Sequence, residues 1–249
     1  MLGLALGLAS SLAWGVSDFL GGLQSRRIAT LSVLLVSQPV GLVLALGAFY
    51  RAMALGSVSV VATIGALGVV VPVAAGLAGG EEPAAIQLAG AAVAIVGVLL
   101  VSREPDPEWR AAGRKSVGLA GAAALGFGTF FWLLDLSSGP EPAWTIVVAR
   151  AGGVALLLIA AARMRPSLGC QREVMPWLVV IGVCDVTANS LFAVATNHGL
   201  LSLVAVAGSL YSAVTVVLAR VVLGERLARP RQVGVLVALA GVAMIAAAA

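Results

Sequence analysis

Charge is scarce in this sequence. Only 10% of its 249 residues are Asp, Glu, Lys or Arg, where a soluble domain carries about 25%, and no stretch is long or polar enough to form a water-soluble domain. Histidine occurs once, at His198. The two cysteines, Cys170 and Cys184, have no metal-ligand spacing and require no disulfide. Neither His-Glu-x-x-His nor Gly-x-Ser-x-Gly is present, which removes the zinc-protease and nucleophile-elbow constellations. Asp18, Asp135 and Asp185 leave paired-aspartate chemistry formally open, but none sits in a protease-like motif. No catalytic residue, metal site or cofactor is expected, and the chain is not read as an enzyme. A basic leader is missing too. Met1 runs straight into apolar sequence and the first break, Gln24-Ser25-Arg26-Arg27, follows more than 20 residues later, so no cleaved signal peptide is expected.

What remains is hydrophobic. Apolar residues make up 61% of the chain and mean hydropathy is +1.08. Long apolar runs with short polar breaks and frequent glycine read as transmembrane helices. Spans are expected near 2–23, 30–55, 58–78, 85–102, 116–136, 143–162, 175–196, 200–222 and 232–248. The runs lack the roughly 10-residue alternation of an outer-membrane barrel. The fold class is therefore all-α, a polytopic transmembrane bundle. The net charge of +4 and pI of 9.8 come from basic residues in short loops at helix ends. Anionic membrane lipids explain them as partners, and nucleic acid does not.

The chain also repeats itself, with two offsets. Gly7-Leu8-Ala9, Gly15 and Phe19 recur as Gly118-Leu119-Ala120, Gly126 and Phe130, an offset of 111. Val36, Gln38, Gly41 and Leu44 recur as Val148, Arg150, Gly153 and Leu156. The offset then jumps to 143–144: Phe49 and Ala52 match Phe192 and Ala195, Ser59 matches Ser202, Gly80-Glu81 matches Gly224-Glu225, and Gly90 and Gly97 match Gly234 and Gly241. The first copy is thus about 32 residues shorter, lacking a counterpart of roughly Arg163–Leu191. The organisation expected is a shortened first repeat over 1–102 with about four helices, a linker over 103–115 holding Pro105 and Pro107, and a five-helix second repeat over 116–249. Repeats of one hydrophobic unit point to a membrane transporter.

Topology follows from charge. With nine spans, 12 basic residues fall on one side and only Arg26 and Arg27 on the other, with Arg150 inside the membrane. The richer side would be cytoplasmic. A tenth crossing would instead place Arg26 and Arg27 with the other basic residues and Met1 opposite them.

Trp14-Gly15-Val16-Ser17-Asp18-Phe19-Leu20-Gly21-Gly22, followed by Ser25-Arg26-Arg27, resembles the first helix of EamA-type transporters, of the drug/metabolite transporter superfamily. Tyr50-Arg51-Ala52-Met53-Ala54-Leu55-Gly56-Ser57-Val58-Ser59 resembles that family's third-to-fourth helix junction. Val71-Pro72-Val73 with Gly80-Glu81-Glu82, and Leu223-Gly224-Glu225-Arg226-Leu227, resemble its paired Pro-Val and Gly-Glu-Arg signatures. The resemblance implies ten helices in two inverted five-helix repeats around a central cavity, about nine of which are read here. Ser212 stands where the second Pro is common. Small related transporters work as dimers, so a homodimer is a partner state the resemblance allows.

Candidate substrate-binding residues are the polar and aromatic groups inside spans: Trp14, Asp18, Gln38, Arg150, Asp185, Asn189 and Tyr211. A charge in hydrocarbon costs a few kcal/mol, so each needs a reason. Asp185 and Asn189, four residues apart, share a helix face and offer acceptors and an amide donor. Arg150, whose counterpart is the neutral Gln38, would suit an anionic or zwitterionic substrate, or would pair with Asp185 to fix packing. Trp14 is either a cavity wall or a lipid anchor, and Asp18 either a site residue or a solvated interfacial carboxylate. Trp132 and Asp135 read as interface residues, His198 as a turn residue, and Glu81 and Glu225 as helix-junction residues. Glycine pairs (Gly3 with Gly7, Gly90 with Gly97, Gly118 with Ala122) read as close helix-packing faces. The function expected is secondary transport of a small polar or amphipathic metabolite across the cell membrane by alternating access. Asp185 is the first choice for a proton-coupling carboxylate. The alternative is a non-transporting remnant or partner subunit of a larger membrane assembly.

Overall fold

The computed structural model describes residues 1–27, 30, 33, 67–102, 107–137, 142–164, 173–223 and 229–248, without the side chains of 67, 101, 102, 107–117, 120, 142–145, 147, 150, 230 and 231. Every regular element among them is helical. In a bilayer this is the expected outcome, because backbone N–H and C=O groups must pair within the segment. The helices are α1 (Leu2–Ser25), a 3₁₀ turn (Leu67–Val69) leading into α2 (Val70–Ala78), α3 (Ala85–Ser102), α4 (Pro107–Ser137), α5 (Pro142–Met164), α6 (Met175–Thr196), α7 (Leu201–Ser209), α8 (Tyr211–Leu223) and α9 (Arg229–Ala247).

Three described stretches, Leu2–Ser25, Met175–Thr196 and Leu201–Leu223, are long and apolar enough to cross a membrane by length and composition. Large apolar side chains face outward around the bundle: Leu125 is 66% exposed, Leu136 67%, Leu158 60%, Val221 74% and Leu236 67%. Such a surface would be unstable in water and suits lipid. The chain is a multi-pass membrane protein.

Two sequence boundaries shift. Residues 107–115, assigned to the linker, are helical and extend α4 toward the N-terminus. The span at 200–222 is not one helix: it breaks at Leu210, whose N–H bonds Ala207 three residues back. The span at 30–55 lies outside the described residues apart from positions 30 and 33, and the span at 58–78 is described from Leu67 on.

Helix α1 is the axis of packing. Its small residues let neighbours approach backbone to backbone. A Cβ on Gly3 would lie 2.9 Å from the Ala195 carbonyl oxygen of α6 and from the His198 carbonyl. Farther along, the Ser10 hydroxyl donates to the Ala188 carbonyl at 2.8 Å and the Ser17 hydroxyl to the Ile181 carbonyl at 3.2 Å. Partner numbers fall as α1 rises, so α1 and α6 run antiparallel. Against α7 and α8 they rise together: Gly7 meets Val204 and Ala207, Gly15 meets Tyr211 and Val214, and the Thr215 hydroxyl donates to the Gly15 carbonyl at 3.3 Å. All nine residues of α7 are buried, at the centre of the bundle.

The second close pair is α3 with α9. Gly90 abuts the Gly241 carbonyl and Ile245, and Gly97 abuts Ala238 and the Gly234 carbonyl. These glycines are the ones the 144-residue offset makes equivalent, so the contact is self-complementary and antiparallel, as a two-fold relation between helices requires. Gly118 behaves differently. It is exposed and nothing lies within 4 Å of a Cβ built there, so it and the exposed Ala122 form no packing face against the described residues.

The register places Gly3, Glu81, Gln87, Asp135, His198 and Ala248 at one end of the bundle. Glu81 reaches the start of α7, Gln87 donates to the Ala248 carbonyl, and Asp135 bonds Thr196 at the end of α6. Arg26, Arg27, Arg163, Arg220 and Arg229 lie at the opposite end, all exposed. Arg26 and Arg27 therefore share a side with the other described arginines, the placement expected of ten-helix rather than nine-helix parity. Met1 lies at the end opposite these arginines, and the positive-inside rule predicts the basic end to be cytoplasmic.

Candidate functional site

At mid-depth, Trp14, Asp18, Phe127, Phe131, Asp185 and Tyr211 line a small cavity. Four helices supply them. The close approach of α1 to α6 and α8 sets Trp14 and Asp18 of α1 facing Asp185 and Tyr211. The break at Leu210 puts Tyr211 at the first position of α8, where its ring turns inward. Helix α4 closes the remaining wall with Phe127 and Phe131, one turn apart.

The walls are rigid aromatic surface. The Trp14 and Phe131 ring centroids are 4.8 Å apart, Trp14 and Phe192 5.5 Å, and Phe131 and Phe192 4.9 Å. Phe192 is fully buried behind them. These spacings lie in the favourable range for tilted ring pairs. Trp14 is therefore a cavity wall and not a lipid anchor, with only 5% of its surface exposed.

The polar groups are few and buried. Asp18 is 5% exposed and Asp185 2%, so Asp18 is not a solvated interfacial carboxylate. Both carboxyl groups face the same cavity. The Tyr211 hydroxyl is buried and makes no hydrogen bond, although a buried phenol ordinarily finds a partner.

Other sequence candidates fall differently. Asn189 is buried one helical turn from Asp185 and does not line the cavity; its amide donates to the Asp185 backbone carbonyl at 2.7 Å, leaving its oxygen without a partner. Side chains at (i, i+4) reach one another on a helix, and here the amide satisfies the helix's own carbonyl instead of a ligand. Gln38 lies outside the described residues, and Arg150 is carried by α5 with its side chain outside them. Trp132 and Asp135 lie toward the end of α4, Trp132 39% exposed, and His198 is an exposed turn residue.

Two features escaped the sequence reading. Phe127 and Phe131 were legible as an aromatic pair at (i, i+4), but such spacing more often marks plain core. Glu81 proved to be more than a junction residue. Its carboxylate folds over Gly76 and accepts from the Leu201 N–H at 2.5 Å and the Ser202 N–H at 3.1 Å. It thereby caps α7, whose own N-cap residue, Leu200, supplies no side-chain bond. Gly80 makes this possible: its φ of +93° turns the chain sharply between α2 and α3, a conformation glycine tolerates without a Cβ clash.

A family model described as "EamA-like transporter family" matches residues 114–247. No curated protein matches the chain. A solved chain described as "Crystal structure of protein" covers 96% of this chain and 86% of its own length, with a TM-score of 0.64 at 16% identity. At that identity the likeness speaks for the fold alone.

Proposed function

We propose that this chain, which belongs to the EamA-like transporter family, moves a small polar or amphipathic metabolite across the cytoplasmic membrane by alternating access. The observation that carries this reading is the mid-depth cavity. It gathers two carboxylates, a free phenol and aromatic walls from α1, α4, α6 and α8, which by the sequence offsets belong to both repeats. Substrate sites of repeat-built transporters lie at such an interface, and rocking one repeat against the other would expose it alternately to each side. Trp14, Asp18, Asp185 and Tyr211 form the substrate contact, with Asn189 behind them and Gln38 and Arg150 as further candidates on their helices. Asp185 is the proton-coupling group, since a carboxylate this deep is costly as a standing charge and useful as a proton carrier.

The test is uptake into proteoliposomes under an imposed proton gradient, using a panel of radiolabelled amines, amino acids and organic acids. Gradient-driven accumulation of at least one solute is expected, lost or uncoupled from pH in Asp185→Asn. Transport and pH dependence both unchanged in that variant would remove the coupling role. An inert wild-type protein would favour a non-transporting subunit instead.

A further inference from the structure

The cavity's chemistry narrows the substrate class, an inference that rests on the transporter reading above. We infer that the site takes a small primary amine in its protonated form, carrying an aromatic or apolar body. Two carboxylates, Asp18 and Asp185, line one small cavity between aromatic walls. Their mutual repulsion in a low-dielectric interior is relieved by a cation between them and aggravated by an anion. Asp185 has another interaction, but a carboxylate has about four acceptor positions, so capacity remains.

Donor arithmetic selects among cations. A primary ammonium has three N–H donors and no acceptor. The cavity presents three acceptors: the two carboxylates and the Tyr211 oxygen, which is 4% exposed and without a partner. A quaternary ammonium would leave all three without donors. The rings of Trp14, Phe127 and Phe131 supply the other half of the site. An ammonium within about 6 Å of such a ring is attracted to its face, and the apolar body of the amine is covered by the same surface. The arrangement differs from the anionic or zwitterionic substrate that Arg150 suggests in the sequence, because no described side chain lining the cavity carries a positive charge.

The test uses purified wild-type protein in nanodiscs and calorimetric titration with 2-phenylethylammonium, its N-trimethylated form, 2-phenylethanol and phenylacetate. The primary ammonium is expected to bind at least about thirtyfold more tightly than the alcohol or the carboxylate, the lower bound for a buried ion pair losing one partner. Asp18→Asn should erase that preference. Tyr211→Phe should weaken the primary ammonium several-fold and leave the trimethylated form unchanged. The inference is overturned if phenylacetate or 2-phenylethanol binds as tightly as the primary ammonium, if the primary ammonium does not bind, or if Asp18→Asn leaves its affinity within twofold. Should Asp18→Asn not fold, the wild-type panel alone decides. Charge-selective binding without uptake into proteoliposomes would uphold the amine site and remove the transport reading. Proton-driven uptake of other solutes with no ammonium binding would do the reverse.

Discussion

Removing the Glu81 carboxylate should loosen the bundle at its non-basic end. Glu81→Ala deletes two charge-assisted bonds, to the Leu201 and Ser202 amides, and takes a negative charge from the positive end of α7. Hydrogen bonds to charged groups contribute roughly 1.5–3 kcal/mol each. Two effects reduce the sum. Glu81 is only half-buried, so water can reach the freed amides, and its repulsion of Asp135 is relieved. A net loss of about 2–3 kcal/mol remains. For a chain of this size that corresponds to roughly 4–12 °C in melting temperature. Thermal unfolding in detergent, followed by fluorescence-detected size exclusion, reads it directly. Glu81→Gln keeps an acceptor and should fall by about half as much. Glu82→Ala, at an exposed neighbour, should stay within about 0.5 kcal/mol of wild type. If Glu81→Ala melts within 1 °C of wild type, or Glu82→Ala falls as far, the capping role is refuted.

Gly97→Ala places a Cβ 2.2 Å from the Ala238 backbone nitrogen and 2.7 Å from the Gly234 carbonyl oxygen. Because backbone cannot rotate aside, α3 and α9 must separate, at about 1–3 kcal/mol. Gly121→Ala meets open space and should be neutral or slightly stabilising. Equal melting temperatures for these two variants would contradict the packing argument. In a background without Cys170 and Cys184, Arg27→Cys and Arg163→Cys should be protected from a membrane-impermeant thiol reagent in intact cells, and His198→Cys should label. Labelling of Arg27→Cys but not Arg163→Cys would overturn the shared basic end.

Helices were legible because the bilayer leaves the backbone few alternatives, so hydropathy locates spans well. Boundaries were less so. Pro107 reads as a breaker, yet it stands at the first position of α4, where its missing N–H costs nothing. Leu210 carries no breaking residue at all. The break falls just after Gly208-Ser209, where the Leu210 N–H bonds Ala207 three residues back. Packing glycines were visible as spaced small residues, but Gly118 has the same look as Gly90 and faces open space. Spacing shows which residues share a face; only the neighbouring helix shows what that face meets.

The sequence alone settled the solvent, the helical class, the internal repeat and the family resemblance, because composition, periodicity and offset are properties of the chain itself. It also named Trp14, Asp18, Asp185 and Tyr211, since polar groups in hydrocarbon are too costly to be incidental. Tertiary structure decided the rest. It brought those four residues, 197 positions apart at the extremes, to one cavity, added Phe127 and Phe131, and turned the Asn189 amide back to its own helix. It also set Arg26 and Arg27 beside the other described arginines. Each of these depends on which helices touch and in what register, and that is set by backbone contacts between segments far apart in the chain.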